Sequence, residues 1–217
     1  MTGMRGSSWS VSLTALTGAQ QLIHENLKRH VTEVAGRIGE RNVWRPEAMA
    51  AAAGYIRQTL EDAGYAVSMQ PFTSRGQTVN NIEAVLPGHS AADEIIVTGA
   101  HYDSVAGTPG ANDNASGVAA LLELARLLAG TALPRSVRFV AFANEEPPFF
   151  YGEEMGSKRY VARARARGER ITAMLSLETI GYYTDQPASQ RYPFPINLFY
   201  PDTGHFIGFV GDLSSWR

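Results

Sequence analysis

Apolar residues recur along this chain with two periods, one typical of helices and the other of strands. Helical spacing predicts helices over residues 20–34, 47–63, 117–128 and 156–167. Short apolar runs bounded by turn residues predict strands over residues 65–72, 78–86, 94–100, 136–143, 171–177, 196–200 and 206–210. Because strands and helices alternate through the middle of the chain, we predict an α/β fold with a largely parallel sheet flanked by helices.

The composition excludes several classes of protein. The chain has 217 residues, 44% of them hydrophobic, which is enough for one domain, and its lack of cysteine excludes disulfide scaffolds and thiolate zinc sites. The net charge of −2 gives no field that would draw nucleic acid or an acidic membrane. Neither a membrane span nor a signal peptide is evident, so we expect a cytoplasmic protein by default, with a single domain over residues 1–217 and disorder over residues 1–16.

Ionisable residues follow three of the predicted strands at the point where each strand ends. They are His101 and Asp103, then Glu145 and Glu146, then Glu178, while Asp113 precedes the helix predicted from residue 117. Because the carboxyl ends of parallel strands meet at one edge of a sheet, we expect these side chains to lie close together. Charged groups that converge without a partner repel one another, so this arrangement favours a bound cation.

An imidazole together with several carboxylates is a donor set that suits zinc or a related first-row metal. The charge of two divalent ions balances that of Asp113, Glu146, Glu178 and one hydroxide, so the pattern predicts a two-metal hydrolase site. Residues 101 and 103 point the same way on an extended chain, so the carboxylate of Asp103 can orient the His101 ring. Residues 145 and 146 are adjacent and diverge, so one can ligate metal while the other acts as a general base.

Each of these features also has a simpler explanation. Asn112 and Asn114 flank Asp113 with strong turn chemistry, so Asp113 could be only a turn or cap residue. A pair of glutamates after a strand is commonly part of a solvated loop, and Glu178 could be an edge charge. The occurrence of all of them in order at three strand ends favours the metal site.

These residues resemble the M28 family of zinc metallopeptidases, the group of aminopeptidases and glutamate carboxypeptidases. The matching segments are residues 101–104, 110–117, 144–146, 156–157 and 177–181. The resemblance implies the three-layer sandwich of the zinc-dependent exopeptidases, which is phosphorylase/hydrolase-like, with a mixed, mainly parallel sheet. It also implies a cis peptide bond between Asp113 and Asn114.

The resemblance further assigns roles to the candidate residues. His101 and Glu178 would hold one zinc ion and Glu146 the other, with Asp113 bridging the two. Asp103 would orient His101, and Glu145 would be the general base.

One feature of the family is missing from the sequence. Family members supply a final histidine to the second zinc from a loop further downstream, and here the one later histidine, His205, precedes a predicted strand. We therefore expect a domain that is incomplete at its C-terminus: a complete site would hold two zinc ions, and this chain could hold one or none. We also expect an exposed sheet edge that permits self-association.

The expected function is that of an aminopeptidase-like, zinc-dependent exopeptidase. It would hydrolyse a peptide or an amino-acid amide with a metal-activated water, using neither nucleic acid nor membrane as a partner. The alternatives are a non-catalytic interaction domain and a glutaminyl-cyclase-like enzyme with one zinc ion. The aromatic segment Phe149, Phe150 and Tyr151 either lines a substrate pocket or packs its own loop against the protein.

Overall fold

The computed structural model describes residues 15–211. The expectation of disorder over residues 1–16 falls, apart from residues 15 and 16, outside this range. The helices are α1 (Gly18–Val31), α2 (Pro46–Asp62), α3 (Gly117–Leu128) and α4 (Gly156–Ala166). The strands are β1 (Val67–Ser74), β2 (Gln77–Leu86), β3 (Ala91–His101), β4 (Arg135–Phe142) and β5 (Arg170–Ser176). A short π-helical turn covers Thr32–Ile38, and Ile196–Leu198 forms a 3-10 turn. The segment Ala111–Ser116 leads into α3 through a kink at Asp113 and Asn114, whose backbone angles are not helical.

The five strands form one sheet in the order β1-β2-β4-β3-β5. Strand β3 pairs in parallel with β4 and with β5, whereas β2 pairs antiparallel with β1 and with β4. Four of the five strands therefore run in the same direction, and the predicted mixed, mainly parallel sheet is confirmed. The carboxyl ends of β3, β4 and β5 lie on one edge of the sheet.

Side chains alternate along each strand, so the two faces of the sheet carry different residues, and helices pack on both faces. Phe139 and Ala141 of β4 belong to a large core that includes apolar residues of α2 and α3. Val140 and Phe142, the alternate residues of β4, pack in a smaller core with Tyr160 of α4. These two cores give the three layers of the predicted sandwich.

Strand β5 forms one border of the sheet, next to β3. Its apolar residues are poorly covered, since Met174 is 49% exposed and Leu175 is 46% exposed. The predicted exposed edge is therefore present within residues 15–211. In that same range, no helix combines the length and the apolar character needed to cross a bilayer.

The chain divides into two compact units, one over residues 18–181 and the other containing residues 182–211. The second unit contains the two segments for which the strand prediction is wrong, since 196–198 is a 3-10 turn and residues 206–210 have no regular structure. Phe199 and Phe209 are 72% and 93% exposed, so these two side chains do not lie on the inward face of a sheet. In the same unit, the Nε2 atom of His205 lies 3.0 Å from the Thr203 hydroxyl.

Candidate metal centre

The three parallel strands carry the candidate residues to one edge of the sheet, as predicted. His101 is the last residue of β3 and pairs in register with Phe142, the last residue of β4. Glu145 and Glu146 follow β4 by a few residues, and Glu178 follows β5. The strand register thus places all three chain segments side by side.

His101 lies at the centre of this group and is buried, with 4% of its surface exposed. Its Nε2 atom is 3.0 Å from Asp113 Oδ1, 3.4 Å from Glu178 Oε2 and 3.8 Å from Glu145 Oε2. Its Nδ1 atom is 3.4 Å from Asp103 Oδ1. Among the described residues neither ring nitrogen has a partner with hydrogen-bond geometry. Nε2 is therefore a buried nitrogen that is free to ligate a metal and faces three carboxylates.

Asp103 connects the ends of β3 and β4. Its Oδ1 accepts a hydrogen bond from the backbone N–H of Glu145, and its Oδ2 accepts one from that of Glu146, both at 3.0 Å. The carboxylate is buried, and hydrogen bonds to a charged group are about twice as strong as neutral ones. Asp103 therefore fixes the backbone of both glutamates in addition to facing the His101 ring.

Asn114 connects the segment of Asp113 to the end of β5. The predicted cis peptide bond between Asp113 and Asn114 is present. The buried Asn114 amide donates to the carbonyl of Leu177 (2.9 Å) and to Glu178 Oε2 (3.1 Å), and its oxygen accepts from the backbone N–H of Gly117 (3.0 Å). This role of Asn114 was not predicted from the sequence, in which Asn112 and Asn114 were interpreted only as turn residues beside the candidate ligand Asp113.

Two further polar side chains reinforce the same connection. Asn112 accepts a hydrogen bond from the backbone N–H of Gly181 (2.9 Å), and the Ser116 hydroxyl accepts one from that of Ile180 (3.1 Å). Residues 112–116 are therefore held along the chain that follows β5. Asp113 and Glu178, one on each of these segments, keep a fixed separation as a result.

Glu145 and Glu146 diverge, as their adjacent positions predict. Glu145 faces His101, whereas Glu146 Oε1 accepts a hydrogen bond from the backbone N–H of Val105 (3.1 Å). Burial raises the pKa of Glu145 to about 7, and the carboxylates around it add to the shift while His101 opposes it. Burial and the charge of Asp113 likewise raise the pKa of Glu146.

The group of ligating atoms within 4.8 Å of one another consists, within residues 15–211, of His101, Asp113 and Glu178. One imidazole and two carboxylates around a buried, unpartnered nitrogen fit the coordination that zinc prefers. Burial by itself would lower the pKa of His101. The carboxylates of Asp103 and Glu178 outweigh this effect and raise the pKa to about 11, so the site strongly favours a positive charge. Glu146 lies outside this group, and its predicted place on a second zinc ion stays a prediction.

The aromatic segment after Glu146 has one buried and two exposed rings. Phe149 is 5% exposed and stacks on Trp44 with 5.8 Å between the ring centroids. Phe150 and Tyr151 are 47% and 76% exposed. The packing alternative therefore describes Phe149, while the other two rings remain accessible to a ligand.

A cavity of about 580 Å³ opens beside the candidate ligands. Its lining includes His101, Glu145 and Glu178 together with apolar side chains such as Met174 and the charged side chains of Lys158 and Arg165. A ligand seated in this cavity would reach the carboxylate cluster.

Comparison with known proteins matches residues 81–200, more than half of the chain, to the model described as Peptidase family M28. The uncharacterized protein YfbL of Escherichia coli is 40% identical over 87% of this chain and 60% of its own length. Leupeptin-inactivating enzyme 1 of Streptomyces exfoliatus is 31% identical over 76% of this chain and 40% of its own length.

Among solved structures, the zinc aminopeptidase BSAP of Bacillus subtilis superposes with a TM-score of 0.65 at 16% identity. That superposition covers 72% of this chain and 69% of BSAP, and at this identity it shows a shared fold. The match to the two curated relatives covers 60% of the length of YfbL and 40% of that of leupeptin-inactivating enzyme 1, so the chain spans only part of these proteins. The match of the family model over more than half of its residues establishes that the chain belongs to peptidase family M28.

Proposed function

We propose that this chain is the metal-binding part of an aminopeptidase-like, zinc-dependent exopeptidase that acts on peptides or amino-acid amides. The observation that carries the proposal is the position of the buried His101 Nε2, which faces Asp113, Glu178 and Glu145 at distances from 3.0 to 3.8 Å. Zinc aminopeptidases and zinc metalloproteases among the relatives and structural neighbours support the choice of metal.

The residues divide between holding the metal and moving a proton. His101, Asp113 and Glu178 would hold one zinc ion, and Glu146 together with the bridging Asp113 would serve a second. When bound, zinc is a Lewis acid that polarises the substrate carbonyl and makes water a better nucleophile.

Glu145 would act as the general base and then as the general acid. Its carboxylate takes a proton from the attacking water while the water oxygen bonds to the carbonyl carbon, and it gives the proton to the amide nitrogen as the C–N bond breaks. Burial raises the pKa of Glu145, which favours its acceptance of that proton. Asp103 holds the base in place through the backbone N–H of Glu145.

The substrate and the assembly are further parts of the proposal. Phe150 and Tyr151 are accessible and would contact the substrate, while Phe149 would support their loop from beneath through its stacking on Trp44. The exposed border of β5 would allow two copies of the chain to pair along their sheets.

Two measurements test the function. Zinc content after reconstitution, by elemental analysis, should fall in His101→Ala, and hydrolysis of amino-acid 4-nitroanilides should require zinc. The Glu145→Gln variant should keep its zinc and lose activity by about 10²- to 10⁴-fold, the range of general-base contributions. Glu61→Gln, on an exposed side chain of α2 that pairs with Arg57, is the matched control.

The outcomes separate the alternatives. A chain that binds no zinc would support a non-catalytic interaction domain. A chain that binds one zinc ion, cyclises N-terminal glutamine and leaves the nitroanilides intact would support the glutaminyl-cyclase alternative. Full hydrolytic activity in Glu145→Gln would contradict the assigned base.

A further inference from the structure

Arg41 is a buried cation in the loop between α1 and α2. None of its surface is exposed. Burying a charged side chain is costly unless its donors are satisfied, and here the guanidinium donates to backbone carbonyls from three separate chain segments. Nε donates to Tyr102 at 2.6 Å, Nη1 to Pro109 at 2.5 Å and to Gly39 at 3.0 Å, and Nη2 to Gly110 at 3.1 Å.

The carbonyls of Tyr102, Pro109 and Gly110 belong to the loop between His101 and Asp113, two candidate ligands of the metal centre. Tyr102 lies between His101 and Asp103, and Gly110 comes three residues before Asp113. The guanidinium therefore spans the start and the end of the segment that separates the first ligand from the second.

Backbone groups of Arg41 hold the same loop. Its N–H donates to the Ser104 hydroxyl (3.1 Å), and its carbonyl accepts from the Ser104 N–H (2.8 Å). The Asn42 amide adds a hydrogen bond to the Ser104 carbonyl (3.2 Å). Since Ser104 follows Asp103 directly, the position of the Asp103 carboxylate depends on this contact.

We propose that Arg41 is a positioning residue for the metal centre, whose guanidinium sets the separation between the His101–Asp103 segment and Asp113. The guanidinium spreads five N–H donors over three nitrogens in a rigid plane, whereas the donors of lysine share one nitrogen at the end of a flexible stem. Lysine at this position therefore keeps the charge but cannot bridge both ends of the loop. The inference rests on the proposed zinc site, and it adds a residue that touches neither metal nor substrate.

A purely electrostatic role predicts a different result from a positioning role. Burial lowers the pKa of Arg41 to about 10 and the carboxylates of Asp103, Asp113 and Glu146 oppose this shift, so the side chain is charged at neutral pH. A fixed positive charge near the ligands repels a metal cation. Removing that charge alone would therefore strengthen zinc binding, whereas loosening the loop would weaken it.

The test compares Arg41→Lys and Arg41→Met by competition between the folded protein and a zinc chelator. Positioning predicts that both variants lose about 10- to 100-fold in zinc affinity, the range found when groups that orient metal ligands are removed. If Arg41→Lys had wild-type zinc affinity and Arg41→Met bound zinc more tightly, the proposal would be overturned, and Arg41 would act on the metal centre through its charge alone. Unchanged affinity in both, with a lowered melting temperature, would reduce Arg41 to a stabilising residue.

Arg138→Lys is the matched control, because Arg138 is another largely buried arginine whose partners lie outside the metal centre. It pairs with Glu169 at 2.6 Å and with Glu83 at 3.6 Å. This variant should lower the melting temperature and leave zinc affinity unchanged. Equal losses of zinc affinity in the Arg41 and Arg138 variants would overturn the proposal.

A second readout needs no zinc, and so separates a failure of this proposal from a failure of the proposed function. In the metal-free protein, Arg41→Lys should speed amide hydrogen exchange at Ser104, which donates to Arg41, and at Ala115, which donates to Gly110. Exchange at Tyr102, which donates to Phe142 across the sheet, should stay slow. Wild-type exchange rates at Ser104 and Ala115 would overturn the proposal even if zinc binds.

Ser104→Ala provides a milder change if the arginine variants do not fold. It removes the hydroxyl that accepts from the Arg41 backbone and donates to the Thr108 carbonyl (3.0 Å). We expect a smaller loss of zinc affinity and faster exchange at Ala115. Wild-type values of both would contradict the proposal.

Discussion

Replacing a glycine by alanine should have opposite effects at two helical positions of this protein. Gly117 begins α3 beside the segments that carry Asp113 and Glu178. A Cβ atom there would lie 2.3 Å from Asn114 Oδ1 and 2.4 Å from the Leu177 carbonyl oxygen. Gly54 lies inside α2, and a Cβ atom there would meet nothing within 4 Å.

The size of the two effects follows from these distances. Contacts of a Cβ atom below 3.0 Å essentially do not occur, so both oxygens beside Gly117 would have to retreat by more than about half an ångström. Overpacking of this kind costs about 1–3 kcal/mol, and each weakened hydrogen bond of Asn114 costs about 1 kcal/mol more. Alanine regains about 1 kcal/mol of helix propensity, so Gly117→Ala should destabilise the fold by about 2 kcal/mol. Gly54→Ala has the helical gain alone and should stabilise it by about 0.5–1 kcal/mol.

Urea unfolding of both variants, with and without zinc, measures these changes. Because Asn114 ties Asp113 to Glu178, Gly117→Ala should also weaken zinc binding, and zinc should then raise its stability less than it raises that of the wild type. Gly54→Ala should bind zinc like the wild type. A Gly117→Ala protein as stable as the wild type, with unchanged zinc affinity, would refute the argument that this close approach fixes the ligand geometry.

Two further predictions concern Asp103 and His30. Asp103→Asn replaces one of the two oxygens that accept from backbone N–H groups by a donor, and it should weaken zinc binding by about 10- to 100-fold in chelator competition. The control Asp93→Asn, on a side chain that is 73% exposed, should leave zinc binding unchanged. Burial lowers the pKa of His30 from 6.5 to about 4, so below pH 6.5 the unfolded chain takes up a proton that the folded protein refuses until about pH 4. The stability present above pH 6.5 is therefore lost as the pH falls, by about 2 kcal/mol between pH 7 and pH 5, and urea titrations of His30→Asn should lack this loss. An equal fall in the variant would show that other groups cause it.

The periodicity of apolar residues predicted most of the fold because most elements bury one face. The predicted bounds of α3 agree with the structure, since apolar residues at helical spacing meet the sheet along the whole helix. The first helix differs at its end: it was predicted to stop at residue 34, shortly before Gly36, but a π-helical turn continues to Ile38 and is followed by Gly39, which has a φ of +79°. Spacing alone does not show which of two nearby glycines adopts the left-handed conformation.

The failure at residues 196–200 and 206–210 has a different cause. A run of apolar residues is compatible with a strand only where a neighbouring strand supplies hydrogen bonds and a face to cover. In the first segment the backbone bonds locally instead, from the Asn197 N–H to the Pro193 carbonyl and from the Leu198 N–H to that of Pro195. Composition within a short window does not reveal that absence of a partner.

The residues of the site were predictable in so far as their chemistry is restricted. An imidazole and four carboxylates at strand ends have few structural uses, so they were identified from sequence. Arg41 and Asn114 were missed because their roles depend on backbone carbonyls far away in the sequence, as in the bond from Arg41 to Tyr102 across 61 positions. Every residue type has a backbone carbonyl, so a side chain that bonds to backbone does not require a particular residue type at the partner position. Such a contact therefore leaves no recognisable pattern in the sequence.

Asp103, together with the missed residues Asn114 and Arg41, also explains how like charges can stay together before a cation binds. Asp103 joins the ends of β3 and β4, Asn114 joins the Asp113 segment to the end of β5, and Arg41 joins the two ends of the loop between them. Each is buried and bonds mainly to backbone, so the separation of the ligands is set by the fold and does not rely on the metal. It follows that variants of these three residues should change zinc affinity with every ligand still present, whereas loss of affinity confined to ligand variants would mean that the metal itself organises the site.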